Sequence, residues 1–406
     1  MPSQPNPGTQ AGPGSALPQP ATDQGNDQPD ASPAAAAESA PSPTGTAPTE
    51  LIDLAAALVQ IDTAGGHEDD ALELLIPLLE AAGLEVRLLP WQPGRSNLVA
   101  TWQGGSDLVL CGHLDTVPHP SGQTGAPPLG QIKDGRLYGR GAADMKGAVA
   151  AMVSAACAAA QGGAPPFTLA LTSAEETGCE GAKALAGTGT LPADPILIVG
   201  EATANRVTLG HKGATWLRVN ATGQAAHASA PELGRNAINL LMRGIGTLEE
   251  VPASNHLQLG RSTFSVGTIA GGRQVNLVPD QATMDVDIRT VQVDDAARYA
   301  AAVEQTVGDG SVSTVLELPS VWTEPSSALS REVFRIVNAK TGAPAAPLAA
   351  AFFTDASVLA DRHQPRVYIL GPGQPAAPHT AGESCSIQAI AQAQDLYLSL
   401  ILHLDR

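Results

Sequence analysis

An apolar run that ends in His113 and Asp115, LVLCGHLDTVP at residues 108–118, is an unusual place for titratable groups. Four other segments share that context. GRGAADMKG sets Asp144 in a glycine-rich turn just before a helix. FTLALTSAEETG ends a strand at the adjacent pair Glu175 and Glu176. PILIVGEAT ends one at Glu201, and VYILGPGQPAAPHTAGES leads from one to His379. Ligands of open α/β sheets collect outside the carboxyl ends of strands, where all of these fall. Imidazoles and carboxylates together suit Zn²⁺ and its neighbours. One ion needs only three protein ligands, so this many donors suggests two ions sharing a carboxylate. Asp144 is the natural bridge, because its turn brings the backbone close. Of Glu175 and Glu176, one can ligate while the other faces the attacking water. Asp115 would accept the second N–H of His113 and fix its tautomer. Singly, an HxD at a strand end is commonly a surface turn, and an EE pair a solvated face. Their shared placement favours the metal reading.

The elements that carry these residues follow from periodicity. Thr49 opens a helix to about Ile61, and a second runs from Glu68 to Ala82, with Pro77 inside it and Gly83 at its end. Strand-like runs follow at 84–89, 97–102, 108–111, 167–172 and 195–199, with an Ala-rich helix between the third and fourth. This alternation predicts an α/β class: a layered, mostly parallel catalytic sheet with helices on both faces. From about Val207 the pattern becomes that of half-exposed antiparallel strands (215–221, 263–269, 275–290) with helices at 236–248 and 294–307. Helix–strand alternation then resumes, with a helix at 331–340, a strand at 366–370 and a last helix from about Ser386. The predicted layout is a metal-binding domain of residues 49–206 and 321–406, interrupted by an inserted α+β lid of residues 207–320.

Composition removes several function classes. The chain has 406 residues and a net charge of −18, which argues against nucleic acid. No apolar run reaches the roughly 18 residues of a membrane span. Residues 1–48 hold eleven prolines and no lysine or arginine, which predicts a disordered tail without the basic start and apolar core of a secretory signal. Cys111, Cys157, Cys179 and Cys385 form no CxxC pair and read as buried thiols of a reducing, cytoplasmic protein. GRGAADMKG lacks the features of a phosphate loop, and no GxSxG occurs.

Taken in order, GHLDTVP, GRGAADMKG, TSAEETG, GEAT, GQAAHASAPELGRNAI, QVNLVPDQATMDVDIR and LGPG…PHTAGES resemble one family over residues 50–406. It comprises the dinuclear zinc amidohydrolases and peptidases of acetylornithine deacetylase, succinyl-diaminopimelate desuccinylase, the aminoacylases and carboxypeptidase G. The resemblance implies two Zn²⁺ per subunit, with Co²⁺ or Mn²⁺ as substitutes. His113, Asp144 and Glu201 would hold one ion, and Asp144, Glu176 and His379 the other. Glu175 would be general base and acid, with Asp115 beside it in the catalytic set. His227 would reach the partner's active site in a homodimer formed through the inserted domain, and would stabilise the oxyanion. Asn276 and Arg289 would hold a substrate carboxylate, and the peptide after Asp144 would be cis. The chain departs from its relatives at Pro378, more often Ala, and at Gly382-Glu383, often Asn-Glu. The implied reaction is hydrolysis of the amide of a small N-acyl amino acid by a metal-bound hydroxide. Carboxypeptidase G or dipeptidase action on a short peptide is the alternative, and a non-catalytic dimeric binding protein is the alternative of another class.

Overall fold

The central strands are apolar on both faces, so they need cover on both sides. In the computed structural model, which describes residues 49–118, 129–344 and 346–404, they receive it. These residues belong to one unit spanning Thr46–Arg406. The segment 1–48 expected to be disordered lies outside the described residues.

Among the described residues nine strands form the large sheet. Its order is Glu85–Gln92, Arg95–Trp102, Phe167–Thr172, Leu108–His113, Ile196–Val199, Arg366–Ile369, Thr208–His211 and Val321–Trp322, with Leu348–Ala350 also pairing with Thr208–His211. The four strands from Phe167–Thr172 to Arg366–Ile369 are parallel. The pairings outside them are antiparallel except that of Leu348–Ala350. The sheet is therefore parallel at its centre, where the carboxyl ends must converge.

Period two divides the side chains between the layers. Leu108, Leu110, Leu169, Leu171, Ile196 and Ile198 join one core, against the helices Thr49–Gln60, Lys146–Gln161 and Ile387–His403. Val109, Cys111, Ala170, Leu197 and Val199 join the other, with Ala182 and Leu185 of Glu180–Ala186 and Ala356 and Leu359 of Ala356–Leu359. The Ala-rich helix Lys146–Gln161 is buried almost all round, and its small side chains let Ile387–His403 approach closely.

A four-stranded antiparallel sheet runs in the order Thr263–Gly271, Gln281–Thr290, Gly213–Thr222 and Ser311–Leu318. Helices Ala237–Glu250 and Asp295–Glu304 complete its separate core. The small sheet starts at Gly213, whereas Thr208–His211, inside the expected 207–320 segment, pairs in the large sheet. The expected strand 275–290 begins only at Gln281, because Pro279 has no N–H to donate and Val275 is fully exposed in the preceding loop. No helix among the described residues is long and apolar enough to cross a membrane.

Candidate functional site

The parallel strands end on one side of the sheet and bring seven of the expected residues together. His113 is the last residue of its strand. Its Nε2 lies 3.2 Å from Asp144 Oδ1 and 3.4 Å from Glu201 Oε1. His379 Nε2 lies 3.4 Å from Asp144 Oδ2 and 3.1 Å from each oxygen of Glu176. Asp144 thus offers one oxygen to each histidine. Ligand atoms of His113, Glu175 and Glu201, and those of His113, Asp144 and Glu176, lie within 4.8 Å of one another. The Asp144–Met145 peptide is cis.

The turns that aim these groups are held by buried side chains. Asp115 Oδ1 accepts the Glu175 N–H and Oδ2 the Glu176 N–H, each at 3.0 Å. This corrects the expected pairing of Asp115 with His113. The strand ends at His113, so its Nδ1 reaches the Asp115 backbone carbonyl at 3.0 Å, with the nearer carboxylate oxygen at 3.6 Å. Glu383 Oε1 accepts the Ala143 and Asp144 N–H groups at 3.0 and 3.1 Å, while Arg140 donates to Oε2 at 2.5 Å. In the same turn Gly141 has φ +84°, and a Cβ there would come within 2.8 Å of Thr116 Cγ2.

Sequence reasoning passed over Glu383 except as a departure, and missed Asp355 altogether. Asp355 is buried and accepts the Thr172 hydroxyl at 2.5 Å, and its Oδ1 has no partner among the described residues. Its one sequence signal is a carboxylate just after the apolar pair in FFTDAS.

Crowded, buried acids shift one another. Burial pushes Glu175 well above the usual carboxylate range and Glu201 up to about 8, with Asp144 adding to the latter. Burial also raises Asp355 to about 6. Burial opposes ionisation of Asp144, but hydrogen bonds from His113 and His379 hold it well below its ordinary value. Burial pulls His113 down, yet Asp144 and Glu201 outweigh it and raise it well above 6.5. Hydrogen bonds to Asp144 and Glu176 lift His379 to about 10. Two imidazoles converging with Glu175, Glu176 and Glu201 around the shared Asp144 fit a pair of divalent ions.

That arrangement sets the pH dependence of the metal-free protein. The folded state keeps protons on Glu201 between pH 4.5 and about 8, and on His379 between pH 6.5 and about 10, after the unfolded chain has released them. Both contributions are full below the unfolded value and are lost as pH rises through the folded one. Asp144 has the opposite sign but acts only below pH 4. Burial pulls His211 down to about 4 and Lys146 to about 8, which opposes the fall below pH 6.5 and above about 8, so the melting temperature of chelator-treated protein is expected to fall most steeply from pH 6.5 to 8 at constant ionic strength. Added Zn²⁺ should raise it more at pH 8 than at pH 5.5, since the metal displaces protons. A metal-free profile that rises over this range would contradict the assignment.

Three expected residues stand elsewhere. His227 and Asn276 are exposed and adjacent through the His227–Leu277 bridge and the Ala228 N–H to Asn276 carbonyl bond of 3.0 Å. Arg289 donates to Asp287 through Nε at 2.8 Å and Nη2 at 3.1 Å, with its guanidinium 5.5 Å from the Phe353 ring centre. The structure records no hydrogen bond or ion pair between these three and the seven clustered residues.

The profile of peptidase family M20/M25/M40 matches residues 109–403. A probable succinyl-diaminopimelate desuccinylase of Staphylococcus epidermidis is 30% identical over 392 residues, covering 87% of this chain and 95% of that protein. An aminopeptidase of Bacillus cereus has a similar fold, with a TM-score of 0.71 at 22% identity over 88% of this chain and 98% of that one. A dinuclear metal binding peptidase of Bacillus subtilis gives 0.66 at 15% identity, over 88% and 99% of the two chains.

Proposed function

The chain belongs to peptidase family M20/M25/M40, a family of hydrolases, and from that premise we propose that it cleaves the amide bond of a small N-acyl amino acid. The proposed type is that of acetylornithine deacetylase and succinyl-diaminopimelate desuccinylase, with two Zn²⁺ ions per subunit and Co²⁺ or Mn²⁺ as substitutes. The observation that carries the reading is the division of the Asp144 carboxylate between the two histidines. His113, Asp144 and Glu201 would hold one ion, and Asp144, Glu176 and His379 the second. Bound there, the ions would lower the pKa of a water and polarise the scissile carbonyl.

The chain's own residues supply the remaining steps. Glu175 takes a proton from the attacking water on its carboxylate and returns one to the leaving amine. Burial raises its proton affinity above that of an ordinary carboxylate, the direction a group that takes and returns a proton needs. Asp115 fixes the direction of that carboxylate through two backbone N–H groups. His227 Nδ1 accepts the Ser229 N–H at 3.2 Å, which leaves Nε2 as the ring nitrogen that can donate to an oxyanion. That donor would serve the partner's site in a homodimer formed through the 207–320 segment. Its exposed edge strand Thr263–Gly271, with Ile269 half exposed, and the exposed Met242 support that interface. Asn276 and Arg289 would grip the substrate carboxylate. Asp287 occupies the Nε–Nη2 edge of Arg289, leaving Nη1 for a ligand.

A panel of acetylornithine, succinyl-diaminopimelate, acyl-glutamates and dipeptides, assayed with Zn²⁺ or Co²⁺, tests the reading. Fastest turnover is expected on an acylated amino acid. Preference for acyl-glutamates or dipeptides would transfer the chain to the carboxypeptidase type, and no turnover with metal bound would leave a binding protein. Arg289→Ala should raise KM about 10- to 100-fold for carboxylate-bearing substrates, the worth of a charge-assisted hydrogen bond. An equal loss on amides without a carboxylate would contradict its role.

A further inference from the structure

The turn that carries Glu175 and Glu176 presents four consecutive backbone N–H groups to buried side chains. Ser173 N–H donates to Asn97 Oδ1 at 3.1 Å, Ala174 N–H to Glu68 Oε1 at 3.3 Å, and Glu175 and Glu176 N–H to the two oxygens of Asp115. Asp115 belongs to the site already described, whereas Glu68 stands outside it. Glu68 lies in the first turn of helix Glu68–Ala81, fully buried, with its charge met by Arg95 through Nη2 at 2.5 Å and Nε at 3.1 Å. Trp91 lies over the Arg95 guanidinium at 5.7 Å and donates its indole N–H to Ser173 Oγ at 2.8 Å.

The residue that Glu68 holds is the critical one. Ala174 has φ +59°, a left-handed conformation rare for a residue with a Cβ, immediately before Glu175. Relaxing that residue to an ordinary φ would swing both following carboxylates. A fully buried acid also needs a compensating charge, and Arg95 supplies it: its Nη2 donates to the same Oε1 that accepts the Ala174 N–H, and its Nε reaches both oxygens at 3.1 Å.

We propose that Glu68, neutralised by Arg95, is a positioning residue that locks the Ala174 turn and so aims Glu175 and Glu176. The proposal rests on the roles given to those two residues above. The test compares Glu68→Ala, Glu68→Gln and Glu175→Ala with the unaltered full chain, each loaded with Co²⁺ and desalted. Glu68→Ala is expected to lower kcat about 10- to 100-fold with KM within about twofold, and to change the visible Co²⁺ absorption bands as Glu176 shifts. Glu68→Gln keeps an acceptor oxygen for the Ala174 N–H. It should recover kcat and the Co²⁺ spectrum to near the unaltered values even where its melting temperature drops as far as that of Glu68→Ala. Should Glu68→Ala fail to fold, Glu68→Met removes the acceptor with the volume kept. An unchanged kcat and spectrum in the acceptor-less variant would overturn the proposal, as would failure of Glu68→Gln to restore them. Full activity in Glu175→Ala would instead overturn the underlying assignment, and the Co²⁺ spectra would still report the turn.

Discussion

Glu175→Gln is expected to keep the metal content of the unaltered protein and to lose about 10²- to 10⁴-fold in kcat, the range contributed by a positioned general acid–base. Glutamine preserves the shape and the hydrogen bonds to Asp115, which are made by the backbone of Glu175 and Glu176 rather than by their side chains. Only the capacity to take and return a proton is removed. The geometry makes the metal measurement as informative as the rate. Glu175 lies in one donor group with His113 and Glu201, so its carboxylate is near enough to be a ligand itself. If Glu175 is the base, Glu175→Gln retains two ions after desalting and KM changes little. If it is a ligand, one ion is lost together with the activity, and the division of labour between Glu175 and Glu176 must be reversed. His379 within 3.1 Å of both Glu176 oxygens favours the first outcome.

The clustering of the candidate site was legible in the sequence where it depends on strand ends. Apolar runs such as LVLC and ILIV mark buried parallel strands, and the side chain just beyond each run must lie on the ligand side of the sheet. That logic needs only local pattern, and it brought His113, Glu175, Glu176, Glu201 and His379 into one neighbourhood. The buried supports were not legible, because each is a pairing between distant residues that no local pattern encodes. Glu383 meets Ala143 from 240 positions away, and Glu68 meets Ala174 from 106 away. Glu68 looks like any acid of a first helical turn, and Glu383 like a loop residue. The same limit explains Asp115: the usual partnership of a carboxylate with a metal-bound imidazole points it at His113, but the strand stops at His113 and the carboxylate turns to the loop after the neighbouring strand. Thr208–His211 falls within the expected lid segment, because its partners in the large sheet, Val321–Trp322 and Arg366–Ile369, lie more than 100 residues downstream.

Asp144→Asn is expected to abolish stable loading of both ions, not one, and to reduce activity by more than the roughly 10- to 100-fold typical of losing an outer partner of a metal ligand. The reason is the split of its carboxylate, with Oδ1 toward His113 and Oδ2 toward His379. An amide presents one oxygen and one NH₂, so at most one of the two histidine-centred sets keeps an acceptor beside it. It also removes the negative charge that holds two cations at short separation. Glu201→Gln supplies the contrast, since Glu201 approaches only His113 among the two histidines and should cost one ion. Metal analysis after desalting separates the cases: fewer than one ion per subunit for Asp144→Asn, about one for Glu201→Gln. Two ions retained by Asp144→Asn would show that the shared carboxylate is a structural hydrogen-bond acceptor. The dinuclear reading, and the hydrolysis proposed from it, would then have to be abandoned.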